Sequence, residues 1–187
     1  MNSRKSSAKP AQPGQFRIIG GLWRSRRLVF PAVDGLRPTP ERVRETLFNW
    51  LAQDIRGANC LDLYCGSGAL GLEALSRGAS HCTFIDAANA SINAINQHLK
   101  LLQGNGTAIS GSLPSALAGL NLPVDIIFMD PPYAIDSHNA CLEALAQRNL
   151  LKDGCWIYCE NDSDKPLPAL VGGCELHRHK KAGAVQY

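Results

Sequence analysis

Cys60-Leu61-Asp62-Leu63-Tyr64-Cys65-Gly66-Ser67-Gly68-Ala69-Leu70-Gly71 is a short apolar run, a glycine-rich turn and the start of a helix. Gly66, Gly68 and Gly71 satisfy G-x-G-x-x-G. The first two glycines let the backbone turn tightly and approach a ligand, and the third lets a helix pack closely on its strand. A second strand-like run, Cys82-Thr83-Phe84-Ile85, empties into Asp86, twenty residues after Gly66. That spacing fits a carboxylate gripping ribose hydroxyls. Nicotinamide dinucleotide enzymes use the same fingerprint, so it does not settle the ligand by itself.

Alternation continues outward from this unit. Residues 69–77 read as a helix stopped by Gly78, 81–86 as a strand, 89–102 as a helix closed by Gly104, and 107–110 as a strand. A short helix is expected at 112–120, a strand at 124–129 and a helix at 137–148. Lys152-Asp153-Gly154 reads as a turn into a strand at 155–160, and 175–181 with 184–187 as a closing hairpin about Gly183. Strands alternating with helices predict an α/β, doubly wound, mostly parallel sheet. Upstream, Thr39 has the character of an N-cap, Pro40 suits a first helical turn, and Val43, Leu47, Trp50 and Leu51 repeat as one apolar stripe.

The strand at 124–129 runs into Asp130-Pro131-Pro132-Tyr133. Neither proline has an N–H and both fix φ, so the loop is rigid and its carbonyls are bare acceptors. With the Asp130 carboxylate they can hold a planar amine by its hydrogens, while Tyr133 stacks on the ring that carries the amine. The chemistry this suits is reaction at an exocyclic amino group of a nucleobase.

Charge is unevenly placed. Residues 1–44 hold ten Lys or Arg against two acids, and the rest holds nine against fourteen, for a formal net charge of +3. A basic amino-terminal stretch on an otherwise mildly acidic chain is an electrostatic footprint for a phosphate backbone. Residues 1–14 read as a flexible basic tail. Phe16 to Ile19 and Leu22 to Val29, joined through Gly20-Gly21, read as a β-hairpin over 15–35 with Arg17, Arg24, Arg26 and Arg27 exposed. Trp23 beside these arginines offers stacking to RNA bases, and equally an anchor for the hairpin. A second basic cluster runs from His177 to Lys181. No run approaches the ~20 apolar residues of a membrane span, and the start lacks the apolar core of a secretory signal. The seven cysteines are scattered through apolar runs, which predicts buried reduced thiols and a cytoplasmic protein; no metal set is implied.

Taken together, these motifs and the stretch Leu36-Arg37-Pro38-Thr39-Pro40-Glu41-Arg42-Val43-Arg44-Glu45-Thr46-Leu47-Phe48-Asn49-Trp50-Leu51 resemble the Rossmann-like S-adenosylmethionine-dependent methyltransferases of the RsmD type. The resemblance runs from about Arg17 to the end of the chain. That family methylates the exocyclic 2-amino group of one guanine in bacterial small-subunit (16S) ribosomal RNA. The resemblance implies a seven-stranded sheet with a C-terminal antiparallel hairpin, a methyltransferase domain over 36–187 and S-adenosylmethionine as cofactor. It implies catalysis by Asp130, Pro131, Pro132 and Tyr133. Cofactor contacts are implied for Asp62, Tyr64, Gly66, Ser67, Gly68, Asp86, Ala87, Ser112 and Leu113. Arg37 and Thr39 join Arg17, Trp23, Arg24, Arg26 and Arg27 as the RNA contacts. The expected partner is 16S RNA, free or in an assembling 30S subunit, met by a monomer. Tyr64 stands where many such enzymes have Gly, and Ser112-Leu113 where an acid or Asn often contacts adenine. A DNA adenine-amine methyltransferase, a protein glutamine methylase, a nicotinamide oxidoreductase and a non-catalytic RNA-binding module are the alternatives.

Overall fold

The computed structural model describes residues 12–33, 36, 38–121, 123–132, 137–171 and 173–187. The basic tail over residues 1–11, Arg37 and Tyr133 therefore lie outside the described residues. Five parallel strands form the central sheet: β3 (Asn59–Leu63), β4 (His81–Asp86), β5 (Gly106–Ser110), β6 (Val124–Met129) and β7 (Leu151–Cys159). Their spatial order is β5-β4-β3-β6-β7, so the chain reverses its direction of travel across the sheet between β3 and β6.

The inner strands β3, β4 and β6 bury both faces, and their residues alternate between two cores. Cys60, Phe84, Ile126, Phe128 and Tyr158 face helices α1 (Glu41–Trp50), α2 (Ala69–Ser76) and α3 (Asn89–Leu102). Leu61, Leu63, Ile85, Ile127 and Met129 face α4 (His138–Gln147) and a 3-10 helix over Ser115–Gly119. Helices on both faces make the sheet doubly wound. Gly71 fulfils the packing role expected of it: a Cβ there would meet the Phe84 ring at 2.3 Å and Cys82 Sγ at 2.7 Å.

Several expectations need correction. Among the described residues the central sheet has five strands where seven were expected. β8 (Asn161–Asp162), β9 (Lys181–Ala182) and β10 (Val185–Gln186) form a separate antiparallel sheet in the order β8-β10-β9. The hairpin about Gly183 exists, with φ 64° at the glycine, but its first arm is two residues long. Residues 175–181 are exposed throughout, so no buried face enforces strand alternation there. Pro166 and Pro168 supply no N–H to a ladder just upstream. Lys152-Asp153-Gly154 is no turn before a strand. It lies inside β7 as a bulge, where β7 advances five positions from Leu151 to Trp156 while β6 advances two from Val124 to Ile126.

The amino-terminal hairpin is β1 (Gly14–Arg17) paired antiparallel with β2 (Arg27–Phe30). Its connection is wider than the Gly20-Gly21 turn expected, because residues 20–25 fold back onto α2. Leu22 N–H donates to the Ser76 carbonyl and Trp23 N–H to Ser76 Oγ. Thr39 does not cap α1. Pro40 holds the N-cap position with no side-chain hydrogen bond, and the Thr39 hydroxyl points elsewhere.

Candidate active site

The acids singled out in the sequence converge at the carboxyl ends of the parallel strands, next to the point where strand order reverses. In open α/β sheets that crevice is where ligands bind. Asp62 sits on β3, is 2% exposed and accepts the Gly71 N–H at 2.9 Å. Asp86 ends β4 and accepts the Gly66 N–H and the Ala88 N–H, each at 2.8 Å. The glycine turn is thus tied to the neighbouring strand's acid. Gly66 and Gly68 have φ of 49° and 75°, which other residues adopt at a cost. Burial, followed by the charges of Asp130 and Asp86, pushes the Asp62 carboxyl well above the usual range against the Gly71 hydrogen bond.

Tyr64 also has a positive φ, 57°, and its ring reaches away under α4. Its hydroxyl meets Ser137 Oγ and lies 3.2 Å from Cys141 Sγ. The side chain anchors the turn to α4 and the residue before it. Ser67 is buried, Ala87 and Ser112 are exposed, and Leu113 packs partly against the α4-side core. Cys65 is 7% exposed, and burial with the nearby Asp62 and Asp86 charges pushes its thiol well up, which removes it as a thiolate nucleophile.

Asp130 follows β6 directly. Its Oδ2 accepts the Thr39 hydroxyl at 3.4 Å, a long contact that places Thr39 beside the start of the two-proline loop. Burial pushes the Asp130 carboxyl up to about 6, with the Thr39 hydrogen bond pulling the other way. Pro131 is buried and Pro132 exposed. One carboxyl was missed in the sequence: Glu160, 3% exposed, directly after β7. It had a signal, because it ends a strand as Asp86 and Asp130 do.

The basic arm sorts into two groups. Arg24, Arg26 and Arg27 are exposed around the hairpin connection. Arg17 is exposed too, but pairs with Glu41 at 2.7 Å, which raises its pKa further and lowers that of Glu41. Trp23 is 7% exposed and packs into the α1–α3 core, so its ring is spent on anchoring the hairpin and is removed from the RNA-stacking set. Arg44 is 1% exposed and leaves the phosphate footprint as well. Its guanidinium meets Glu73 at 3.3 Å and donates to the Thr39 and Arg17 carbonyls, each at 3.0 Å.

A cavity of about 620 Å³ opens at the β7 edge between Trp50, Trp156, Tyr158, Leu170 and Tyr187. It holds none of the site residues expected from sequence, and its apolar lining offers little to a charged cofactor. The strand-end crevice, with three acids and a glycine turn, is the site the chemistry supports. No helix among the described residues is long and apolar enough to cross a membrane.

A five-stranded parallel sheet wound on both sides, with a glycine turn after its first strand and acids at successive strand ends, defines a methyltransferase-like α/β protein. The chain belongs to the family described as Conserved hypothetical protein 95, whose model matches residues 16–187. Ribosomal RNA small subunit methyltransferase D of Escherichia coli K12 is 45% identical over 93% of this chain and 88% of its own length. The protein of the same name from Haemophilus influenzae is 38% identical over 98% of this chain and 97% of its own. The solved structure of yhhF from Escherichia coli superposes with a TM-score of 0.84 at 45% identity, covering 93% of this chain and 96% of that one.

Proposed function

We propose that this chain transfers a methyl group from S-adenosylmethionine to the exocyclic 2-amino group of a guanine in small-subunit (16S) ribosomal RNA. The observation that carries the reading is Asp130: a partly buried carboxyl at a strand end, on a two-proline loop, beside the glycine turn. The named relatives support the RNA substrate, since they are small-subunit ribosomal RNA methyltransferases.

The residues present fit the cofactor. The turn is close-packed where a Cβ on Gly66 would meet Leu36 Cδ1 at 2.5 Å, so a glycine there lets the backbone pass without a clash. In this reading Asp62 and Asp86 face the amino-acid end and the ribose, and a cationic ligand beside Asp62 would favour its ionised form. S-adenosylmethionine supplies an already electrophilic methyl group, so this chain's task is alignment more than base strength. Asp62 and the 66–68 turn would hold the methionine end, and Asp86 the ribose. Asp130 and the Pro131 carbonyl would accept the amine hydrogens and orient the nitrogen lone pair. The nitrogen lone pair would form the new N–C bond while the methyl–sulfur bond breaks with its electron pair going to sulfur, leaving a neutral thioether, and the nitrogen would lose one proton to Asp130 or water. Tyr133 is assigned to stacking on a base turned out of its helix.

Asp86→Ala is expected to weaken S-adenosylmethionine binding by about 1.5–3 kcal/mol, the scale of charge-assisted hydrogen bonds. Titration calorimetry reads this directly, and unchanged affinity in a folded variant removes Asp86 from the ribose role.

Residues 15–35 act in this reading as an RNA-binding extension of the 36–187 domain, preceded by the basic tail. Neutralising Arg24, Arg26 and Arg27 together is expected to lower the log–log salt slope of RNA affinity by roughly two to three units, somewhat under one per lost phosphate contact. Deleting the tail should change the slope less. RNA binding across a salt series checks both, and identical slopes for parent and triple variant would show these arginines to be merely solvated.

The decisive experiment is nucleoside mass spectrometry of ribosomal RNA from cells with and without the gene. It is paired with methyl transfer in vitro to naked 16S RNA, 30S particles and DNA. Loss of 2-methylguanine in cells lacking the gene supports the proposal; methylation of DNA adenine alone overturns it.

A further inference from the structure

Glu160 takes no part in any contact so far assigned to cofactor or RNA. The ladder between β6 and β7 ends with Met129 opposite Cys159, and the Glu160 N–H donates to the Met129 carbonyl at 2.9 Å. Continuing that register by one residue makes Asp130 and Glu160 neighbours across strands spaced ~4.8 Å apart. Period-two alternation puts both on the face that carries Phe128 and Tyr158, the face covered by α1. Two carboxyls side by side in a buried place cannot both ionise without cost.

The groups around Glu160 come from every neighbouring element. Asp130 lies at the end of β6. Tyr158 on β7 donates its hydroxyl to Glu160 Oε2 at 2.8 Å. The His138 ring on α4 sits 2.9 Å from the Glu160 carbonyl oxygen. Tyr187 stacks beyond Tyr158 with ring centres 6.0 Å apart. Asp62 adds its charge from β3 on the Asp130 side.

We propose that Glu160 is a positioning residue for the transfer: a buried carboxylic acid that keeps its proton, so that Asp130 stands as the single anionic acceptor for the amine. The inference rests on the methyl-transfer reading. Burial first, then the Asp130 charge, pushes the Glu160 carboxyl up to about 8, while the Tyr158 hydroxyl opposes the rise. Asp130, at about 6, ionises first. Between those values the pair carries one negative charge, favoured on Asp130, whose carboxyl is raised less than that of Glu160. Above the upper value a second charge forms beside the first. Asp130 then holds protons more tightly and the two side chains repel, which spoils the amine's seat.

The test uses the full chain. Glutamate carboxyl carbons are labelled and followed by NMR across a pH titration, without RNA. One glutamate is expected to titrate near 8. Its signal should vanish in Glu160→Gln and move down by roughly one unit in Asp130→Asn, where the neighbouring charge is gone. Single-turnover transfer is then measured across pH. The parent rate should fall on both sides of a plateau. Glu160→Gln keeps an acceptor for Tyr158 but cannot ionise, so it should retain the acid limb and lose the alkaline one. A merely structural role would lower the rate at every pH and leave both limbs. The proposal is overturned if Glu160 titrates in the ordinary carboxyl range, or if Glu160→Gln keeps the alkaline limb. Should Glu160→Gln fail to fold, the shift in Asp130→Asn decides. If the parent transfers no methyl group, the functional reading fails, and the titration alone decides the carboxyl pair.

Discussion

Asp130→Ala is expected to slow methyl transfer by about two to four orders of magnitude while leaving S-adenosylmethionine affinity nearly intact. Asp130 is assigned to the amine; among the described residues its side chain hydrogen-bonds to Thr39 and to none of the groups assigned to the cofactor. Losing it removes the acceptor that fixes the nitrogen, and alignment is most of what this reaction requires from the protein. Single-turnover transfer with bound cofactor measures the chemical step, and calorimetry measures the affinity. Transfer near the parent rate would remove Asp130 from the catalytic role.

The same assignment sets the acid side of the pH profile. Amine hydrogens need an ionised acceptor, and burial holds the Asp130 carboxyl at about 6. The parent rate should therefore fall as pH drops through that value. The sign for stability is the opposite. A carboxyl whose folded pKa is raised binds a proton that the unfolded chain has released, so stability is lost as pH rises from the ordinary 3.8 through about 6. The site is stable when protonated and active when ionised.

What was legible in the sequence was local. A strand, a glycine turn and a helix start are specified within a dozen residues, and β3, β4, β6 and α3 follow from runs that bury both faces or one stripe. Asp62, Asp86 and Asp130 were found because strand ends in a parallel sheet all reach one edge. What was not legible needed contacts across long separations. The sequence leaves Trp23 between base stacking and anchoring, and Arg44 enters only the count of basic residues over 1–44; hydrogen bonds of residues 22 and 23 to Ser76 of α2 turn Trp23 inward. Arg44 lies one residue after Val43 and three before Leu47, on the buried side of α1. The C-terminal strands failed because charged, exposed runs such as 175–181 carry no buried face to set a register.

A signal for Arg44 did exist in α2. Every residue from Ala69 to Ser76 is buried, and Glu73 sits in the middle of it, 0% exposed. An acid there must be paired, and its partners come from three places. Glu73 accepts the Ile19 and Gly20 N–H groups at 2.8 Å each, Arg77 Nε at 2.8 Å and Arg44 Nη1 at 3.3 Å. Burial lowers the Arg44 pKa more than the Glu73 charge raises it, so this cation is held at a cost and depends on its partner.

Glu73→Ala should therefore destabilise the protein by about 3–5 kcal/mol, the cost of leaving a buried charge alone, with the two orphaned hairpin N–H groups adding to it. That is a large share of the roughly 5–15 kcal/mol a domain has. Urea unfolding of parent and variant gives the difference. Adding Arg44→Met to Glu73→Leu should recover part of the loss, because the lone charge is gone, but not all of it, because Ile19 and Gly20 still lack an acceptor. The expected order is parent most stable, double variant next, Glu73→Ala least. A cost under ~1 kcal/mol for Glu73→Ala would mean that the hairpin is not fastened through this carboxylate. Arg44 also donates to the carbonyl of Thr39, whose hydroxyl reaches Asp130. The variant should thus loosen the amino-terminal hairpin and the Thr39–Asp130 contact together, since the Arg44–Glu73 pair ties both to α2.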